Sequence, residues 1–76
     1  MHSEYLVRMA NDIANFFAAE PDKEEAARNV LAHFKRFWDP RMRAQIVAHY
    51  RAGGAGLHEI VMKAVAQLAE ESAAKQ

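Results

Sequence analysis

Apolar positions recur at three- and four-residue steps along nearly the whole chain, which is the pattern of helices with one buried face. Leu6, Met9, Ile13, Phe16 and Phe17 predict a first helix over 3–19, with Ser3 as a candidate N-cap. Pro21 ends it, because the residue before a proline avoids the helical region. Ala27, Val30, Leu31, Phe34, Phe37 and Trp38 predict a second helix over 22–38, where Asp22 and Glu25 resemble a capping box. Met42, Ile46 and His49 share a stripe, with Val47 and Tyr50 beside it, in a third helix over 40–52. Leu57, Ile60, Val61, Ala64, Val65 and Leu68 mark a fourth over 57–72. No alternating run of β-branched residues predicts a strand. The expected fold is all-α: a compact four-helix domain with short connections, covering 1–76 as one unit. From Glu70 on the chain is polar and alanine-rich, and a disordered tail is expected at about 71–76.

The joints carry the strongest local signals. Phe37-Trp38-Asp39-Pro40-Arg41-Met42-Arg43 joins the second and third helices with almost no linker. Asp39 can cap a helix start, and Pro40 suits the first helical position, where a missing N–H is no loss. Phe37 and Trp38 are expected to close the second helix and anchor the corner, with Trp38 buried among Phe34, Met42 and the first helix. Gly53-Gly54-Ala55-Gly56 stops the third helix. Gly53 can take the left-handed position after a helix end, and the other glycines allow a close backbone approach. Asn11, Asp12 and Asn15 fall inside the first helix, where they are poor helix formers. They are expected to be exposed or hydrogen-bonded to something specific.

Composition narrows the function. A chain of 76 residues is one domain of marginal size, and 16 of its apolar residues are alanine, which buries little area. The core is therefore thin, and a partner or weak self-association would support it. There is no cysteine, so disulfides, thiolate metal sites and sulfur relay are excluded for this chain. No apolar run reaches the length of a membrane span. The opening Met-His-Ser-Glu-Tyr lacks the basic-then-apolar pattern of a secretory signal. Net charge is zero, yet residues 28–51 carry six lysines and arginines against Asp39 alone. That asymmetry suits an anionic partner, or equally a set of solvated helix ends.

Catalytic chemistry finds little to use. Ser3 and Ser72 are the only serines and there is no threonine, so no nucleophile–base pair is visible. Asp39 is better used as a cap than as a general base. His2, His33, His49 and His58 show no helical metal spacing, and convergence of the last three from separate helices is not expected. The glycine loop lacks the preceding strand of a dinucleotide site and the Gly-Lys-Ser/Thr of a Walker motif. The basic third helix leaves open a small nucleic-acid-binding or regulatory domain. Against that reading, the corner lacks a glycine-containing turn and base-reading side chains are sparse.

Three blocks carry a family resemblance: Leu6 to Phe17 with its Met-Ala-Asn-x-Ile-Ala-x-Phe-Phe core, His33 to Arg43 with Phe-Trp-x-Pro-x-Met-Arg, and Gly53-Gly54-Ala55-Gly56-Leu57. In order and spacing they resemble the small delta subunit of the soluble NAD-dependent formate dehydrogenases. The resemblance implies larger partner subunits carrying a bis-pterin molybdenum or tungsten centre, iron–sulfur clusters, FMN and the NAD site. For this chain it implies a cytoplasmic, non-catalytic accessory or assembly role with no cofactor or metal of its own. The candidate partner-binding surface is Arg8 and Asn11 of the first helix, Arg41 and Arg43 after the corner, and Gly54 and Gly56 of the loop. The structural corner is Phe37, Trp38, Asp39, Pro40 and Met42. Arginine's planar fork suits a carboxylate or phosphate, and a capped helix start favours an anion. Arg8 pairing only with Glu4, and Arg41 and Arg43 merely solvated, is the competing reading.

Overall fold

Four helices follow from these signals in a computed structural model, which describes residues 3–74: α1 (Ser3–Phe17), α2 (Lys23–Phe37), α3 (Pro40–Arg51) and α4 (Glu59–Ala74). No strand occurs among the described residues. His2 and the last two residues of the expected tail lie outside them. The caps explain the boundaries. Asp22 Oδ1 accepts from the amides of Glu24 at 3.0 Å and Glu25 at 3.4 Å. The reciprocal arm of a capping box is absent, because the Glu25 carboxylate accepts from Arg28 instead and the Asp22 amide donates to Glu20 Oε1. Asp39 Oδ1 accepts from the Met42 amide at 2.9 Å, with Pro40 in the first turn, so two helices meet across two residues. α1 stops two residues short of the expected end, where the Ala18 and Glu20 amides bond three residues back and tighten into a turn.

α4 corrects the expected tail: it is helical through Ala74. Leu68 and Ala69 are buried, Glu71 forms an ion pair with Lys35 of α2, and Gln67 donates to Glu71 one turn on. Those contacts anchor the start of the stretch at Glu71, and the helix continues one turn beyond it.

The most extensive helix pairing is α2 with α4. The two run parallel: Lys23 pairs with Glu59 and Glu24 with Lys63 at one end, and Lys35 with Glu71 at the other. α3 returns antiparallel along α4, its first turns lying beside Leu68 and Glu71 and the following glycine loop against Met62. α1 packs against the other three. Phe34, Leu6, Ile46, Val30, Val61 and Val65 are the largest fully buried side chains, and Ala10, Ala14 and Ala26 fill space among them. The radius of gyration is 11.3 Å, as expected for a compact chain of this length (about 11 Å).

Trp38 is 5% exposed and its ring lies 4.3 Å from that of Phe34, with Met42 packed against the same core. Two expected core residues are instead outside. Phe16 is 78% exposed and Phe37 64% exposed. The buried lines step by four, Leu6-Ala10-Ala14 on α1 and Ala26-Val30-Phe34 leading to Trp38 at the end of α2. At about 100° per residue, Phe16 falls roughly 200° around from Ala14, and Phe37 about 100° short of Trp38. Trp38 therefore anchors the corner from inside, and Phe37 does not.

Candidate functional site: the loop clamp and the arginine faces

The loop after α3 is held by two side chains that converge on it, His49 and Asn11. Gly53, Gly54 and Gly56 all have positive φ, at 121°, 66° and 81°. The Gly54 amide donates back to the His49 carbonyl at 2.9 Å, closing the end of α3. His49 Nε2 donates to the Ala55 carbonyl at 2.7 Å. Asn11 brackets the loop from α1: its Nδ2 donates to the Gly56 carbonyl at 2.8 Å, and its Oδ1 accepts from the His58 amide at 2.9 Å. His58 Nδ1 in turn accepts from the Ile60 amide at 3.1 Å, and the His58 carbonyl accepts from Met62, so His58 caps α4. Gly54 is buried, and a Cβ there would stand 2.6 Å from Met62 Sδ. At Gly56 a Cβ would meet Val7 at an ordinary 3.6 Å, so backbone conformation rather than space requires glycine there.

Asn11, Gly54 and Gly56 thus come together, and their polar groups are engaged inside the chain. His49, His58 and Met62, which the sequence reading did not place in this group, complete it. The sequence signal for them is His58, a histidine near the expected start of the fourth helix.

The arginines sit differently. Arg8 is exposed one turn before Asn11 and forms no ion pair with Glu4. Arg41 is exposed and Arg43 half-buried beside a shallow groove lined by Lys35, Leu68 and Glu71. From Arg43 to Gly54 is eleven residues, about 16 Å at the helical rise. The candidate residues therefore form two groups, one at each end of α3. The side chains of Arg8, Arg41 and Arg43 make no hydrogen bond or ion pair among the described residues. Glu24, Glu25, Glu59 and Glu71 are engaged by other cations, and Glu4 and Asp12, one turn to either side of Arg8, do not pair with it. Hydrogen bonding and charge from Lys23 hold the Glu59 carboxyl below its ordinary range, Glu24 raises the Lys63 ammonium, and Glu25 raises the Arg28 guanidinium. The result is an electrically satisfied α2–α4 face and uncompensated guanidinium groups on α1 and α3.

No group of three or more His, Cys, Asp or Glu among the described residues is placed to hold a metal ion. No helix among them is long and apolar enough to cross a membrane. The surface carries exposed guanidinium groups on α1 and α3 and exposed aromatic rings at Tyr5, Phe16 and Phe37.

The family model of the NADH-dependent formate dehydrogenase delta subunit FdsD matches residues 5–65. The chain belongs to this family. The match takes in α1 to α3, the corner, the loop clamp and the first half of α4, so every candidate partner-binding residue lies inside the delta-subunit region. No curated protein and no solved structure matches the chain.

Proposed function

We propose that this delta subunit is a non-catalytic accessory or assembly subunit of a cytoplasmic NAD-dependent formate dehydrogenase. It binds the larger subunits or the phosphates of their pterin cofactor. The family match carries the reading. The chemistry of the chain supports it: without cysteine it has no thiolate for an iron–sulfur cluster or for sulfur transfer to the metal. With two serines near its ends and no threonine, it has little to offer as a nucleophile. Arg8, Arg41 and Arg43 are free to meet an anionic surface, and the loop clamp gives that surface a fixed shape. The molybdenum or tungsten pterin, the clusters, FMN and NAD belong to the larger subunits.

Affinity capture of the tagged chain from the native cytoplasm, with identification of the bound proteins, tests this. Recovery of the larger formate dehydrogenase subunits is expected. Their absence, together with tight and salt-sensitive binding to duplex DNA, would overturn the reading in favour of a nucleic-acid-binding domain.

A further inference from the structure

The most exposed large apolar side chains lie on α1 and at the end of α2, next to the corner. Phe16 of α1 is 78% exposed, and with Ile13, Phe17, His33 and Asp12 it lines an open, almost wholly apolar pocket between α1 and α2. Phe16 and Phe17 meet edge to face at 5.1 Å. His33 continues the surface, its ring 4.7 Å from that of Phe37, which is 64% exposed. The Arg36 guanidinium closes the far end, 5.4 Å from the centre of the Phe37 ring. One contiguous face therefore carries two exposed phenyl rings and a histidine, with Asp12 at the α1 end and Arg36 at the corner end.

We propose that this face, centred on Phe16, His33 and Phe37, is the surface by which the delta subunit docks onto an apolar patch with an acidic rim on a larger formate dehydrogenase subunit. The proposal rests on the accessory-subunit reading and identifies its contact surface. Three observations select the occupant. First, exposed aromatic side chains beside an arginine are the composition of energetically dominant interface positions. Second, the charge is one-sided at the α2 end. Lys35 is paired with Glu71, whereas no carboxylate pairs with Arg36 among the described residues. The corner that follows carries the uncompensated Arg41 and Arg43, so the complementary rim is acidic. Third, area and charge together disfavour a second copy of this chain. The exposed parts of Phe16 and Phe37 amount to about 300 Å² at the size of a phenylalanine side chain. A stable interface needs roughly 800 Å² from each partner, so it must also take in the neighbouring corner. There a symmetric second copy would set Arg36, Arg41 and Arg43 near their own like charges, and a different chain need not.

The test measures binding of the chain to the purified larger subunits, for wild type, Phe16→Ser/Phe37→Ser and Arg36→Glu. Each variant is checked first for helicity and cooperative melting. All three positions are exposed, and Arg36→Glu preserves the folded state even if the serine pair perturbs it. The expected result is at least a hundredfold weaker binding for the serine pair and about tenfold weaker binding for Arg36→Glu, the latter effect shrinking at high salt. Wild-type binding retained by folded variants would overturn this face and leave the accessory-subunit reading intact. No binding by the wild type would overturn the reading itself. A wild-type dimer in sedimentation that the serine pair abolishes would assign the face to a second copy instead.

Discussion

Asn11→Ala removes the bracket between α1 and the loop that starts α4. Two hydrogen bonds are lost, to the Gly56 carbonyl at 2.8 Å and from the His58 amide at 2.9 Å. Both join positions more than forty residues apart, so their loss loosens the tertiary fold rather than one helix. A net hydrogen bond contributes about 0.5–1.5 kcal/mol, and a donor or acceptor left unsatisfied costs about 1–3. Gly56 is exposed and water can reach its carbonyl, whereas the His58 amide is part-buried. Helix propensity offsets some of the loss, since alanine is favoured over asparagine within α1 by about 0.5 kcal/mol. The balance is a destabilisation of about 2 kcal/mol, or a Tm lowered by roughly 8–16 °C for a domain of this size. Asn11→Asp separates the two arms. It keeps an acceptor for His58 but sets a carboxylate against the Gly56 carbonyl, so it should not restore stability. Thermal melting followed by far-ultraviolet circular dichroism measures both. A shift below 2 °C for Asn11→Ala would show that the loop holds its shape without the bracket.

Three further outcomes follow from the same structure. Trp38→Ala empties a site only 5% exposed and packed on Phe34, and should cost about 3–5 kcal/mol, enough to leave the chain largely unfolded by chemical denaturation; red-shifted tryptophan emission from the folded wild type would contradict that burial. Lys23 depresses the Glu59 carboxyl, so the pair's contribution is present above the ordinary carboxylate value of 4.5 and is lost as pH falls through the lower folded value. The small Tm gap between wild type and Glu59→Gln should therefore close in acid, and a gap that widens there would refute the assignment. Arg41→Ala/Arg43→Ala should leave helicity nearly unchanged while weakening co-purification with the larger subunits, and full stoichiometry and enzyme activity would remove those arginines from the contact.

Local signals were legible where one residue does its work on its neighbours. Asp39 and Pro40 start a helix within three residues, Asp22 does the same, and positive-φ glycines end α3 where the sequence has Gly-Gly-Ala-Gly. Trp38 was legible because it continues the four-residue step of the α2 core. Phe16 and Phe37 were not. A phenylalanine at a three- or four-residue step fits an apolar stripe equally well whether the stripe faces inward or runs off its edge. Only the packing of Ala10, Ala14 and Phe34 decides which phase is buried. Asn11 signalled that it needed a partner, but that partner is supplied by a loop at the opposite end of the sequence. The parallel pairing of α2 with α4 was equally hidden, since it depends on how α3 turns between them. Both outcomes divide the candidate residues by role: Asn11, Gly54 and Gly56 hold the loop, and the arginines remain outward.

Native mass spectrometry of the formate dehydrogenase, purified through a tag on its largest subunit, tests the central claim most directly. A complex containing one or more copies of this 8.6 kDa chain, or an assembly intermediate that contains it, is the predicted result. A fully assembled and active enzyme, with the chain absent from it and from every intermediate, would contradict the account.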